Sequence, residues 1–548
     1  MEKIWLKHYP KNVPSIISKS KFNSIIDLMR NSSTLFPNNT AFTNLNTKLS
    51  YKKIDAYSEK FGAYLQTKLS ITKGCTIAIM LPNLLTYPVA LFGAYIAGAT
   101  VVNINPLFKS REIENVLNDS RTDTIIILDR FISELKPIIK NTSIKNIIVC
   151  RVTDLLSPSM SIMVKIALFF RGPKINLDRN YLYFSSILSN SYPRANMILD
   201  NNDIALLQYT GGTTGKSKAA VLTHGNILSN VEQLGSWVGP IISSGKENII
   251  TALPLYHIFS FTVNLIYFYS IGSNNILVTN PRDLKSFLKT LKKYKFTVIT
   301  GVNTLFNLLL TSSSFRKIDF SSLKFTVGGG MSVLKSTADK WKNVTGVNIT
   351  QGYGLTETSP IVSVNIISDS FNGTIGLPMP STDISIRDEN GSEVDVEQKG
   401  ELCVKGPQVM SKYWNNIEET TSSFTDDGFF KTGDISTINK DGFLRIVDRK
   451  KDMIITSGYN VYPNEIEEYV SQHPDVNECG VIGINDINRG ESISLFIVKT
   501  RESLTKAEII NYCKKGLTVY KIPKKVIFIN EIPKNNVGKI LRRKLREL

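Results

Sequence analysis

The densest chemistry in the sequence lies in one run, Tyr209-Thr-Gly-Gly-Thr-Thr-Gly-Lys-Ser-Lys218, directly after the apolar stretch Ile204–Gln208. Glycines let backbone N–H groups turn toward an anion, hydroxyls add donors, and lysines add positive charge. Tyr209, Thr210, Gly211, Gly212, Thr213, Thr214, Gly215, Lys216, Ser217 and Lys218 together therefore make a cradle for phosphate. The spacing is not that of a Walker loop, which needs glycine where this chain has Thr210. A purely structural turn is a poor alternative, because two lysines and four Thr or Ser residues pack badly. A second run, Gln351-Gly-Tyr-Gly-Leu-Thr-Glu357, sets Tyr353 between Gly352 and Gly354, where a flat base can approach the backbone. Thr356 can donate to a phosphate, and Glu357 is a hard oxygen ligand suited to Mg²⁺. In Lys431-Thr-Gly-Asp434 a carboxylate that can accept from two neighbouring hydroxyls follows a glycine that permits close approach, although such a turn alone is common.

These segments, in this order, resemble the adenylate-forming superfamily of acyl-CoA synthetases, firefly-type luciferases and peptide-synthetase adenylation domains. The likeness continues through Leu253-Pro-Leu-Tyr-His257, Thr300-Gly-Val-Asn-Thr304, Val327-Gly-Gly-Gly-Met331, Asp448-Arg449-Lys450-Lys451-Asp452, Gly458-Tyr-Asn-Val-Tyr-Pro463 and Pro533-Lys-Asn-Asn-Val-Gly-Lys539. The stretch from Asp427 to Lys451, the opening Ile4-Trp-Leu, Leu81-Pro-Asn-Leu-Leu and the closing Val537–Arg543 are most similar to the bacterial long-chain fatty acid–CoA ligase branch. The resemblance covers essentially the whole chain. One departure stands out: the family loop commonly ends Lys-Gly, and here Lys218 is followed by Ala219. If glycine served a positive φ there, alanine would strain the turn.

The resemblance implies a reaction in two halves. A carboxylate attacks the α-phosphate of ATP, releasing pyrophosphate, and the CoA thiol then displaces AMP from the acyl-adenylate. ATP, CoA and a fatty acid are the implied substrates and Mg²⁺ the implied cofactor. Lys539, Glu357 and Lys218 would be catalytic, with Glu357 the metal ligand. Beside the phosphate loop, Gly329, Gly330, Gln351, Gly352, Tyr353, Gly354, Thr356, Asp434 and Arg449 would bind ATP and AMP. His257, Gly301, Val302 and Gly328 would line the acyl pocket. Lys451 would be the hinge, and Gly458 and Tyr459 would meet CoA. Blander alternatives exist: His257 as a satisfied core histidine, and Lys539 as one of nine Lys or Arg against two Asp or Glu in residues 521–548. Three rival functions follow from the same motifs: adenylation for a carrier protein, a luciferase-like oxygenase, and a non-catalytic scaffold. No carrier segment follows Lys539, only nine residues.

The elements that must hold these groups alternate. From about Phe22 to Val447, short β-branched runs such as Ile125–Leu128 and Ile147–Val149 follow helical segments such as Arg111–Asn118. This predicts an α/β body of parallel-rich sheets covered by helices. Asn190–Asp203 reads as a loop. Asp441–Gly442 reads as a hairpin turn between Ile435–Asn439 and Phe443–Val447. Past the charged run, helix Pro463–Gln472, strands Cys479–Ile484 and Ser492–Lys499, helix Lys506–Lys515 and strand Lys525–Phe528 predict a small α+β domain on a hinge. The expected division is a body over 1–447, a hinge at 448–451 and a mobile domain over 452–548. A chain of 548 residues is in any case too long for one core.

Composition narrows the rest. The net charge of +18 favours anionic partners or reflects drift in a chain rich in Lys, Asn and Ile. No arginine-rich, aromatic-interleaved stripe points to nucleic acid. Five scattered cysteines form no disulfide framework or zinc site, which fits a reducing cytoplasm, and four histidines exclude an H-E-x-x-H cluster. The N-terminal residues show no signal-peptide core. The apolar stretch Ala252–Ile271 contains Pro254, His257 and Asn264 and reads as buried core. Met160–Phe170 is too short to span a bilayer and is either a core helix or a helix lying on a membrane surface, which leaves peripheral contact with the inner face of the cytoplasmic membrane open. Related ligases are often homodimers, so the resemblance leaves that state open as well.

Overall fold

The computed structural model describes residues 2–171, 181–193, 197–210, 217–367, 369–456, 459–486, 490–535 and 538–548. Among them the strands make four sheets. The first runs Leu182–Tyr183, Asn146–Cys150, Thr124–Leu128, Thr76–Met80, Thr100–Asn103, Ile204–Thr210, Lys218–Thr223 and is parallel up to its last pair, which is antiparallel. Thr124-Ile-Ile-Ile-Leu128 shows why: every residue is buried, as in a parallel strand covered on both faces. The second sheet has a parallel centre of Ile349–Gly354, Phe325–Gly328, Val298–Gly301, Asn248–Thr251, Asn274–Leu277 and Thr40–Asn44, with antiparallel strands at its edges.

One hydrophobic cluster joins both sheets through helices Tyr51–Leu69 and Thr86–Ile96. The second of these is apolar all round, and all its residues are buried. The helices cross at glycine: a Cβ on Gly93 would stand 2.6 Å from the Phe61 ring. The segment Ala252–Ile271 is buried core, as its apolar content predicts. Within its π-helical turn Phe261–Tyr267, Asn264 is satisfied by mutual hydrogen bonds with Thr300 at 3.0 and 3.1 Å.

The third sheet is antiparallel: Asp383–Arg387, Gly400–Lys405, Phe430–Ile438, Leu444–Arg449. Its last hairpin turns at Gly442, whose φ is +84°. A Cβ there would lie 2.4 Å from Cα of the buried Trp5, so only glycine lets the N-terminal turn seat on this hairpin. A 3₁₀ turn, Lys450–Asp452, leads to the C-terminal α+β unit. Strands Ile454–Thr456, Tyr459–Val461, Val476–Asp486, Gly490–Lys499 and Lys525–Phe528 pack there against helices Pro463–Val470 and Lys506–Gly516 around separate cores.

One expectation needs correction. Helix Pro158–Arg171 is not a core helix: Ile162, Met163, Ile166, Phe169 and Phe170 are between 53% and 84% exposed. Among residues 158–170 only Met160, Ser161, Val164 and Leu168 are half-buried, so one face of that stretch meets the body. No helix among the described residues is long and apolar enough to cross a membrane.

Candidate active site

A cavity of about 1020 Å³ opens at the C-terminal ends of strands Ile204–Thr210, Phe325–Gly328 and Ile349–Gly354. Crevices at the carboxyl ends of parallel strands are the usual ligand sites of α/β folds. The antiparallel third sheet and the C-terminal unit close its other side. A smaller cleft of about 480 Å³ shares Tyr353, Arg449 and Lys539 with it and adds Asp434.

Register sets one polar corner of the site. Asp434 and Arg449 stand opposite each other on neighbouring antiparallel strands, and Arg449 Nε lies 3.3 Å from Asp434 Oδ1. The Tyr353 hydroxyl donates to Asp434 Oδ2 at 2.6 Å. Burial, followed by the Asp434 charge, holds that phenol well above its ordinary pKa, so it stays a donor. Gly352, Gly354 and Thr356 line the cavity beside it. Gly354 is required by the fold too, since a Cβ would lie 1.9 Å from the Pro360 carbonyl. Gln351 does other work: its Oε1 accepts from Val333 N–H at 2.7 Å and its Nε2 donates to the Thr374 carbonyl at 2.9 Å, pinning the loop after Gly330.

Glu357 is buried, and burial pushes its carboxyl up. Its Oε1 accepts from the Tyr413 hydroxyl at 2.8 Å. A buried carboxylate facing such a cavity suits Mg²⁺, which takes one or two protein carboxylates and completes its shell with water and phosphate oxygens. Lys218 pairs with Glu419 and holds Nζ 5.8 Å from the centre of the Tyr413 ring. Ala219, where glycine might have been required, lies in extended strand opposite Tyr209 and is not strained. Tyr209 lines the cavity and donates to Asp119 Oδ2 at 2.5 Å, while Thr210 Oγ1 donates to the Lys218 carbonyl at 3.3 Å. Ser217 is exposed. The rest of the loop, Gly211, Gly212, Thr213, Thr214, Gly215 and Lys216, lies outside the described residues, as does Gly458.

Lys539 enters from the C-terminal unit and lines the same cavity, half-buried. Burial first, then the neighbouring charge of Arg449, pushes its pKa down to about 7. Gly538 seats its loop: with φ +84°, a Cβ there would lie 2.1 Å from Thr304 Oγ1. Asn535 steadies it, Oδ1 accepting from Lys539 N–H at 2.8 Å. His257 lies on the wall, pushed down to about 4 by burial and then by the Lys539 charge, so its imidazole is neutral. Its Nδ1 accepts from Phe259 N–H at 3.4 Å. Gly328, Gly329 and Gly330 form an adjoining wall, and Leu234, Val238, Val263, Tyr267 and Phe268 give the cavity an apolar arm. Gly301 and Val302 stand behind that lining. A Cβ on Gly301 would meet the Phe306 ring at 2.7 Å, so its smallness serves packing. Lys451 lines the cavity from the 3₁₀ turn, its pKa lowered by burial and then by Arg449. Tyr459 is outside the cavity, 55% exposed, its ring stacked on Tyr520 at 4.5 Å.

Sequence motifs missed several supporting groups. Tyr413 and Glu419 hold Glu357 and Lys218 from a segment that carries no local signature. Glu401 accepts from Gly433 N–H and from Lys450 Nζ, each at 3.1 Å, tying the Thr-Gly-Asp turn to the domain boundary. Arg542 gathers Glu467 and Asn464 at 2.9 Å and Asp452 at 3.4 Å. Its place in a basic tail hid it.

Residues 29–414 match the AMP-binding enzyme family, and residues 465–539 match the AMP-binding enzyme C-terminal domain. The chain is 46% identical to a long-chain-fatty-acid–CoA ligase of Escherichia coli, over 100% of this chain and 98% of that protein. Among solved structures it resembles the anthranilate CoA ligase AuaEII in complex with anthranoyl-AMP, with a TM-score of 0.86 and 25% identity over 96% of this chain and 97% of that one. It also resembles the o-succinylbenzoate CoA synthetase of Bacillus subtilis in complex with ATP and magnesium ion, with a TM-score of 0.77 and 25% identity over 95% and 99%.

Proposed function

This chain belongs to the AMP-binding enzyme family, and we propose that it ligates a long-chain fatty acid to CoA through an acyl-adenylate, releasing AMP and pyrophosphate. The observation that carries the proposal is one cavity holding Lys539, Glu357, Arg449 and Tyr353 beside an apolar arm, with Asp434 bonded to Tyr353 and Arg449 in the adjoining cleft. Cations and a carboxylate suit a polyphosphate, and the arm suits an acyl chain.

In the first half-reaction the carboxylate oxygen bonds to the α-phosphorus as the bond to pyrophosphate breaks. Negative charge gathers on phosphate oxygens, and groups already in place stabilise it best. Lys539, Arg449 and the loop ending at Lys218 supply positive charge and donors, and Asp434 fixes the ribose. Glu357 would hold Mg²⁺, which when bound draws charge from the phosphate oxygens. The neutral His257 and Gly328 shape the acyl side without adding charge. In the second half-reaction the CoA thiol attacks the acyl carbon, and AMP leaves. Lys539 is not needed there. We assign 1–447 to the body, 448–451 to the hinge and 452–548 to the moving domain, with rotation at Lys451 bringing Gly458 and Tyr459 to CoA. The exposure of Tyr459 outside the cavity supports that assignment. Resemblance to ligases that pair extends the reading to a homodimer, which light scattering on the purified protein decides.

The test is pyrophosphate release with ATP and Mg²⁺ across acids from acetate to oleate, with and without CoA. Release that peaks with long chains, with acyl-CoA and AMP in equal amounts, is the expected result. Acid-dependent release without CoA consumption would move the acceptor to a carrier protein, and no release with any acid would end the ligase reading.

A further inference from the structure

Two sheets meet at the cavity, and one run of side-chain hydrogen bonds ties them there. The segment Leu253-Pro-Leu-Tyr-His257 carries His257 from strand Asn248–Thr251 of the second sheet into the cavity wall. It has no regular secondary structure, so its backbone groups must find partners elsewhere. The partners come from the side of the first sheet. Asn83, of the Leu81-Pro-Asn run, donates from Nδ2 to the Thr251 and Leu253 carbonyls, each at 3.0 Å, and its Oδ1 accepts from Leu255 N–H at 2.9 Å. Gln208 Nε2 donates to the Tyr256 carbonyl at 3.2 Å, and Gln208 Oε1 accepts from Asn103 Nδ2 at 3.2 Å. Asn103 Oδ1 in turn accepts from the Tyr87 hydroxyl at 2.8 Å, which also lies 3.1 Å from the Leu255 carbonyl. Asn83, Tyr87, Asn103 and Gln208 are all buried. From Tyr87 to Tyr256 every bond runs donor to acceptor in one direction, which fixes both amide orientations and strengthens the chain.

We propose that Gln208 is a positioning residue that locks the acyl wall to the phosphate loop, with Asn103 and Asn83 behind it. Its place argues for this role. Gln208 pairs with Asn103 at the carboxyl ends of neighbouring parallel strands, and both line the cavity. The residue after Gln208 is Tyr209, where the phosphate loop opens, and the residue after Tyr256 is His257. One side-chain bond thus joins the backbone that carries the phosphate loop to the backbone that carries the acyl wall. Attack of a carboxylate on phosphorus needs the reactants held within about an ångström, and misplacement on that scale costs ~10²-fold. Packing accounts for the burial but not for the choice of side chains. An apolar pair would fill the same space and leave the Tyr256 carbonyl unpaired beside the cavity. The catalytic consequence rests on the ligase reading; the tie itself rests on the geometry alone.

Gln208→Met keeps the side-chain length and removes both the donor and the acceptor. It should lower kcat/KM for a long-chain acid in pyrophosphate release by about 10–100-fold, with KM for ATP little changed. In a His257→Ala background it should cost little more, because the segment it places no longer carries the ring. Independently of turnover, diethyl pyrocarbonate should label His257 severalfold faster in Gln208→Met than in wild type, with the buried His224 unchanged as an internal reference. Asn103→Ala frees Gln208 from behind and should give the same pattern at smaller amplitude, which covers a Gln208→Met protein that does not fold. Equal losses for acid and ATP, losses additive with His257→Ala, or unchanged His257 labelling in a folded variant would each overturn the tie. A wild type that releases no pyrophosphate with any acid would end the ligase reading, and the labelling would still decide the tie.

Discussion

Titration of Lys539 gives the sharpest test of the site. Burial and the Arg449 charge lower its pKa to about 7. A lysine with a lowered pKa is charged on the acid side and neutral above it, so the positive charge aimed at the α-phosphate is lost as pH rises. About half the free enzyme carries the charge at pH 7 and about a tenth at pH 8. kcat/KM for pyrophosphate release should therefore fall roughly tenfold per pH unit above about 7. Bound ATP brings negative charge and raises the pKa, so the limb in kcat should lie at higher pH than the limb in kcat/KM. Lys539→Arg keeps its charge throughout and should remove the limb, at some cost in fit. Lys539→Ala should slow adenylation by about 10²–10³-fold, the usual loss of one preorganised donor, and leave thioester formation from supplied acyl-AMP near wild type. The assay is pyrophosphate release without CoA from about pH 6 to 9, beside CoA consumption from acyl-AMP. An unchanged limb in Lys539→Arg, or equal loss of both half-reactions in Lys539→Ala, would refute the reasoning.

Three other changes probe separate parts. Asp434→Asn removes the partner of Arg449 and one charged acceptor of Tyr353, worth ~1.5–3 kcal/mol, so KM for ATP should rise about 10–150-fold; an unchanged KM would sink the ribose assignment. Glu357→Gln keeps the shape without the charge and should raise the Mg²⁺ concentration for half-maximal adenylation roughly tenfold or more, with urea unfolding little changed; a Mg²⁺ titration that overlays wild type would remove Glu357 as ligand. Gly442→Ala meets a backbone with φ +84° and an atom at 2.4 Å, and should cost ~2–4 kcal/mol in urea unfolding. Gly391→Ala has a like φ of +82° but open space within 4 Å, and isolates the backbone part; equal losses in the two would mean Trp5 moves freely.

The motifs were legible because their chemistry dictates residue type locally. A ring between glycines, a Thr-Gly-Asp turn and a glycine- and lysine-rich loop each announce a ligand within a few residues. The pairing of Asp434 with Arg449 was only partly legible: the Asp441–Gly442 turn brings the two arms together, but its register alone would set Asp434 against Asp448, and a bulge between Ile435 and Ser436 moves it to Arg449. The supports were not legible. Tyr413 and Glu419 act on Glu357 and Lys218 across long sequence separations, and nothing near them marks the role. Gly301 misleads for a related reason: a missing Cβ is the same letter whether it makes room for a ligand or for Phe306. Met160–Phe170 was ambiguous because hydropathy counts apolar residues without saying which face the fold covers.

The charges around Lys539 also bear on the proposed departure of the C-terminal unit from the cavity. That unit has its own apolar cores, built from residues 454–545. Its ties to the body are largely polar: Arg445 to Glu468 at 3.2 Å, Asp448 to Asn464 N–H at 2.8 Å, and the Gly538 turn against Thr304. Little apolar surface is lost when such contacts part, and polar inter-domain contacts favour relative motion. Inside the cavity Lys539 stands near Arg449, Lys451 and Arg542, and these like charges oppose its own. A ligand shifts an orientation only by its differential affinity for it. A bound triphosphate offsets the repulsion and favours Lys539 inside. Once pyrophosphate has gone the repulsion remains and most of its compensation does not. In the proposed cycle, the same clustered cations that would serve adenylation thus weaken the hold on Lys539 when adenylation is complete.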